Sequence, residues 1–345
     1  MMRDAILNFP KQFRYQPKLE GGKVKKFKRF VVAGMGGSPL PGLLLKTLKP
    51  VLPVIIWRNY GLPELPEKDW KKTLVVAISY SGNTEEAIDA LETAIQRNLP
   101  VVAVAIGGKL LELAKARQIP YVQLPDTGIQ PRSALGFMLR ALLKVTKENE
   151  LFKQTKELAQ ILKPLELEPQ GKDLAEKLRG KVPVIYSSDR NLSVAYNWKI
   201  KFNETGKIPA FYNILPELNH NEINGFDVHP VRSKSSEATA VSPTAERTSN
   251  AVKDSSRPPW EDFHFIFLQD SQDHPRIIKR MEVTAQIYRE RGLPVESIEL
   301  AGENQMQRIF SSLLVADWTA FHTAEIYGLE SEQVPVVEEL KKLIK

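Results

Sequence analysis

The chain has 345 residues, 42% of them hydrophobic and 26% charged, which excludes a disordered or fibrous polymer. That length calls for two core-forming units, because single cores stop growing at roughly 250–300 residues. There is no cysteine, so disulfides and thiolate chemistry are excluded, and no stretch reaches the roughly 18 uninterrupted apolar residues of a membrane span. The net charge of +7 suits a phosphorylated small molecule as well as nucleic acid or anionic lipid. No zinc-finger or RNA-binding signature accompanies the lysines, so neither nucleic acid nor membrane is expected as a partner.

In chain order, residues 1–15 lack the apolar core of a secretory signal, and a cytoplasmic location is expected. Lys23, Lys25, Lys26, Lys28 and Arg29 then form a basic run that reads as a solvated surface. Residues 29–34, RFVVAG, are a β-branched run ended by glycine, and similar runs recur at 52–57, 73–79, 100–106 and 119–124. Their nearly continuous apolar content predicts strands buried on both faces of a parallel sheet. The clearest intervening helix is predicted over 83–97, with Ala87, Ile88, Leu91, Ala94 and Ile95 at helical spacing. Asn83 or Thr84 can cap it, and Glu85 and Glu86 suit its positive end. Strand alternating with helix means βαβ units and an open three-layer α/β sandwich.

A polar, mostly helical connection over 145–180 leads into a second series. Strands are predicted at 183–188, 264–270 and 295–301, and helices at 191–203, 274–291, 304–327 and 334–345. The chain therefore reads as two similar α/β units in tandem, without a direct sequence repeat. Residues 229–259 are rich in Ser, Thr, Pro and charge, lack apolar periodicity, and are expected to be an inserted mobile loop.

Four segments carry chemistry. Gly34-Met35-Gly36-Gly37-Ser38 follows the first strand, where glycines admit a ligand close to the backbone and the next helix N-terminus favours an anion. The dinucleotide fingerprint would need a further glycine at Pro39, so no nucleotide cofactor is expected. Ser79-Tyr80-Ser81-Gly82-Asn83-Thr84 follows the third strand; one hydroxyl would be a plain N-cap, but three around one turn exceed capping and suit a phosphate. Pro131-Arg132-Ser133 opens a helix, where an arginine works against the dipole unless it meets an anion or a surface partner. Asn203-Glu204-Thr205-Gly206-Lys207 and Leu215-Pro216-Glu217-Leu218-Asn219-His220-Asn221-Glu222-Ile223 bring carboxylates and an imidazole close in sequence, a set suited to proton transfer. A metal on His220 with Glu217 or Glu222 would need more converging ligands, and none is expected.

The spacing GMGGS, SYSGNTEE, GG, PRSALGF, NETGK and LPELNHNEI resembles the bifunctional phosphoglucose/phosphomannose isomerases of the sugar isomerase (SIS) superfamily. The resemblance covers residues 30–345 apart from the Ser/Thr-rich insertion. It implies two SIS domains, 1–150 and 151–345. Each would be a three-layer α/β/α sandwich on a mainly parallel five-stranded, flavodoxin-like sheet. It implies a homodimer with the active site near the subunit interface, a sugar-phosphate substrate, and neither cofactor nor metal. By the same resemblance Gly36, Gly37, Ser38, Ser79, Ser81 and Thr84 hold the phosphate, and Arg132 stabilises charge on the sugar oxygens. Glu204 is the base of a cis-enediol mechanism, and His220 helps open the ring in the partner's site. A lysine of the last helix, Lys341 with Lys342 beside it, shares in ring opening. Thr205-Gly206 stands where the family commonly has Asn-Ala. A non-catalytic sugar-phosphate sensor would keep the hydroxyl cradle but need neither Glu204 nor His220. An isomerase of another (amino)sugar phosphate is the remaining alternative.

Overall fold

The apolar runs of the first half form a single parallel sheet in a computed structural model, which describes residues 1–227 and 260–344. The elements run α1 (Met2–Asn8), β1 (Arg29–Ala33), α2 (Leu40–Leu48), β2 (Val54–Trp57), α3 (Glu67–Trp70), β3 (Thr73–Ile78) and α4 (Glu85–Gln96). They continue with β4 (Val101–Ala105), α5 (Gly108–Ala116), β5 (Tyr121–Gln123) and α6 (Leu135–Thr146). Strand order is β2-β1-β3-β4-β5, with every neighbour parallel. The chain leaves β1 toward one edge and returns on its other side as β3. A crevice therefore opens between the C-terminal ends of β1 and β3, the position where open α/β sheets take ligands.

Both faces of this sheet are apolar, which is why its strands show no polar alternation. On β3, Leu74, Val76 and Ile78 point into a central core with Phe30, Val32, Val102 and Val104. Val75 and Ala77 point the other way, with Val31, Val101, Ala103 and Ala105 beneath apolar residues of α4 and α5.

Helices α7 (Asn149–Ile161) and α8 (Pro164–Lys177) make the polar connection. Then come β6 (Val182–Ser188), α9 (Leu192–Lys201), a π-turn at Phe202–Gly206, and β7 (Phe211–Leu215). The chain ends with β8 (Phe263–Gln269), α10 (Pro275–Glu290), β9 (Val295–Glu299), α11 (Gln305–Ile326) and α12 (Pro335–Leu343). The second sheet, β7-β6-β8-β9, is also parallel and repeats the order of the first four strands of the first sheet. It has four strands among the described residues where five were expected, because the chain passes from β9 into α11 with no further β-branched run. Strand β7 was not anticipated; it lies at the sheet edge, and only Leu215 of it is buried. The expected loop at 229–259 lies outside the described residues.

Ile185, Ile266, Leu268 and Ile298 of the second sheet enter the same central core as the first. Helix α11 runs through it, buried nearly all round. The N-terminal segment is part of this packing rather than a tail. Met2 and Ile6 are buried, and the rings of Phe9 and Phe13 lie 6.0 and 4.9 Å from that of Phe310 on α11. No helix among the described residues is long and apolar enough to cross a membrane.

Candidate active site

Two glycine-hydroxyl turns line the crevice at the ends of β1 and β3. Gly36 has φ +57° and Gly82 φ +73°, the left-handed region that favours glycine. A Cβ on Gly82 would stand 1.8 Å from the Gly107 carbonyl oxygen, so the turn after β3 is pressed against the one that opens α5. The Ser38 hydroxyl accepts from the Tyr80 N–H at 3.1 Å and ties the two main turns together. Ser79 Oγ accepts from Gly82 N–H at 3.0 Å and lies 2.8 Å from Thr84 Oγ1. Thr84 occupies the N-cap of α4, as the sequence suggested, yet its hydroxyl turns to Ser79 and caps nothing. The first N–H groups of α4 are thus left open toward the crevice, and one hydroxyl of the Ser79–Thr84 pair keeps a free proton. Exposed Ser81 accepts from Asn83 N–H at 3.3 Å. Together these groups can hold a dianion.

Arg132 adjoins this cradle through its backbone. A Cβ on Gly37 would lie 3.1 Å from Arg132 N and 3.2 Å from its Cα. The turn Pro131–Ser133 is held from the N-terminus. Buried Gln12 donates to the Ser133 carbonyl at 2.6 Å, and its Oε1 accepts from the N–H groups of Gly136 and Phe137 at 2.9 and 3.3 Å. Gln12 therefore caps α6 from outside the helix.

The Arg132 side chain, 1% exposed, reaches across to the second half of the chain. Nε donates to Thr205 Oγ1 at 2.7 Å, and Nη1 donates to Glu204 Oε2 at 3.3 Å. Nη2 donates to the carbonyls of Ser331 and Glu332 at 2.9 and 2.6 Å. Burial draws the Arg132 pKa below its ordinary value, and the charges of Glu204 and Asp317 oppose that shift. The Glu204 side chain keeps 30% exposure, so the carboxylate is reached from solvent while its cation is buried. A carboxylate open to ligand beside a fixed, buried guanidinium can move a proton and neutralise a neighbouring oxyanion.

Beneath this pair lies a second one that sequence reading missed. Lys201 and Asp317, both buried, are hydrogen-bonded across α9 and α11. Burial raises the Asp317 pKa, against the pull of Lys201 and Arg132. The legible signal was a polar stripe at four-residue spacing, Ser193, Asn197, Lys201 and Thr205, all of them buried. Thr205 and Gly206, where the chain departs from the common family pattern, fit their places. Thr205 anchors Arg132, and a Cβ on Gly206 would make only ordinary contacts from 3.4 Å outward.

The motif around His220 is anchored on alternate sides. Glu222 accepts from Tyr186 and Asn213, Asn219 donates to Thr284 at 2.9 Å, and Leu218 is fully buried. His220 is left exposed with no partner among the described residues. Lys341 lies on exposed α12, with its ammonium on Glu338 at 2.7 Å. Among the described residues no hydrogen bond or ion pair joins His220 or Lys341 to Arg132 or Glu204. No group of three or more His, Asp or Glu side chains able to hold a metal occurs there either.

At the matching end of the second sheet the side chains bond to one another. Ser188 donates to Asp273 at 2.8 Å, Asn191 to Asp270 at 3.2 Å, and Arg308 pairs with Asp270 at 3.2 Å. Carboxylates stand there in place of hydroxyls.

Residues 168–344 match the family model of the bacterial phospho-glucose isomerase C-terminal SIS domain. The chain is similar to the bifunctional phosphoglucose/phosphomannose isomerase of Aquifex aeolicus, with 30% identity over 325 residues, 92% of this chain and 91% of that protein. The enzyme of the same name from Thermoplasma acidophilum is 32% identical over 351 residues, 100% of each chain. Among solved structures, a hypothetical protein from Thermus thermophilus has the same fold, with a TM-score of 0.67 at 16% identity over 99% of this chain and 86% of that one.

Proposed function

The chain belongs to the bifunctional phosphoglucose/phosphomannose isomerase family, and on that premise we propose how its residues carry the reaction. The protein is an aldose–ketose isomerase that interconverts glucose 6-phosphate, and mannose 6-phosphate, with fructose 6-phosphate. Gly36, Gly37, Ser38, Ser79, Ser81 and Thr84 hold the phosphate, whose remote binding energy fixes the reacting end. Glu204 takes the proton from C2 of the open-chain aldose. The C2–H electrons become the C1=C2 double bond, and the carbonyl pair moves onto O1. Arg132 meets the charge of the resulting cis-enediolate. A proton passes from O2 to O1, the O2–H electrons become the C2=O bond, and the C1=C2 pair takes the proton back from Glu204 at C1, which gives the ketose. Adjacent carbons on one face need one carboxylate, so no second base is required. No step calls on a metal or cofactor. The observation that carries this reading is the contact between buried Arg132 and half-open Glu204, beside the hydroxyl cradle.

His220 and Lys341 serve ring opening, His220 in the partner's site, within a homodimer in the cytoplasm. Two features support the dimer. His220 is exposed, and α12 turns an apolar stripe, Val336, Leu340 and Leu343, to solvent at 76%, 56% and 77% exposure. Residues 1–150 and 151–345 act as the two domains, the first supplying the cradle and Arg132, the second the base.

The test is turnover of fructose 6-phosphate in chelator, with glucose 6-phosphate and mannose 6-phosphate quantified separately. Both products are expected, and Glu204→Gln should stay folded while kcat falls by about 10²- to 10⁴-fold. Wild-type protein that binds fructose 6-phosphate but forms neither product would make the chain a sensor.

A further inference from the structure

Lys207 lies at the base of the site and has no role in the mechanism above. It ends the π-turn that bears Glu204, in the left-handed region at φ 58°, ψ 30°. Its ammonium folds back to donate to the main-chain carbonyl of Glu204 at 2.8 Å and also donates to the carbonyl of Gln333. The adjacent carbonyls Ser331 and Glu332 accept from Arg132. Three successive carbonyls of the connection between α11 and α12 thus hold both cations, one beneath the carboxylate and one behind its backbone. Glu330 fixes this connection by accepting from the N–H groups of Glu332 and Gln333, each at 2.6 Å.

We propose that Lys207 is the positioning residue of the proton transfer: its charge-assisted clamp on the Glu204 carbonyl and on Gln333 sets where the Glu204 carboxylate stands relative to Arg132. This rests on the isomerase reading. A base that serves two neighbouring carbons has to stay aligned with both, and a misplacement of about 1 Å costs on the order of 100-fold in rate. The clamp acts where misplacement would arise, because a π-turn is a single irregular turn at the end of α9. Charge-assisted bonds are roughly twice as strong as neutral ones, so an ammonium holds the turn better than a neutral donor. The groups facing Lys207 are Arg132 from the Pro131–Ser133 turn, Glu204 from its own turn, and Glu330 from the α11–α12 connection. Burial first, and then the charge of Arg132, lower its pKa, while Glu330 and Glu204 pull the other way. The proton therefore leaves at a lower pH than from an ordinary lysine, and the clamp weakens as pH rises through that value.

The experiment compares wild type, Lys207→Met and Lys207→Arg in kcat, in its alkaline pH limb, and in binding of sorbitol 6-phosphate, which cannot react. Lys207→Met should lose about 100-fold in kcat, while sorbitol 6-phosphate binding stays within about twofold. Lys207→Arg should regain most of kcat, with the alkaline limb displaced to higher pH because a guanidinium does not titrate there. Three results would overturn the proposal: Lys207→Met keeping its kcat, kcat and binding falling in parallel, or no rescue by arginine. Wild-type protein without turnover would instead overturn the isomerase reading, and the proposal with it.

Discussion

Gly82 and Gly206 enter the site for different physical reasons, and substitution separates them. Gly82 combines φ +73° with a backbone oxygen 1.8 Å from where a Cβ would be, and no side-chain rotation relieves either. Gly82→Ala is expected to cost at least about 2 kcal/mol in thermal unfolding and to weaken sugar-phosphate binding. Gly206 is helical and has room, so Gly206→Ala should leave stability unchanged or raise it by up to about 1 kcal/mol. A large loss at Gly206 would mean that the π-turn needs glycine's freedom. At this scale the sequence announced hydroxyls, carboxylates and imidazole by their crowding. It could not announce Thr205 as the partner of Arg132, because the two lie 73 residues apart. Nor could it announce Gln12, which acts on a helix 124 residues further on. Such contacts follow from the docking of one half on the other, which local spacing does not encode.

Most elements were legible because burial imposes a period. The strands of the first sheet are apolar on both faces, and α4 shows its buried residues at helical spacing, so each was found within a few residues of its ends. Strand β7 was hidden by its mixed composition at the sheet edge, where little of it needs to be apolar. Helix α12 was found, but its setting was not, since none of its residues is buried in the single chain. An amphipathic helix without a core beneath it suits an interface. On the proposed dimer, Leu340→Glu is expected to shift the protein to monomer in sedimentation without unfolding it. On the proposed placement of His220 in the partner's site, activity should fall with the dimer. A wild-type protein that sediments as a fully active monomer would rule the dimer out.

At the scale of the molecule, two sheets of matching strand order share one core, and among the described residues the paired glycine-hydroxyl turns stand at the ends of β1 and β3 in the first. The proposed site draws on both halves: the cradle and Arg132 come from the first, Glu204 and the clamping carbonyls from the second. The residues proposed for chemistry thus sit where the halves meet, and loosening that junction would separate base from cation without touching either. The buried Lys201–Asp317 pair holds α9 to α11 directly beneath.

One carboxylate, Glu204, is proposed to move a proton between neighbouring carbons of a sugar phosphate. The direct measurement is conversion of fructose 6-phosphate in deuterium oxide, with label read at C2 of each aldose product by NMR, for wild type and Glu204→Gln. Wild type should place solvent deuterium at C2 to the extent that the proton held by Glu204 exchanges with water, and the variant should form almost no product. Full activity in Glu204→Gln would exclude Glu204 as the base.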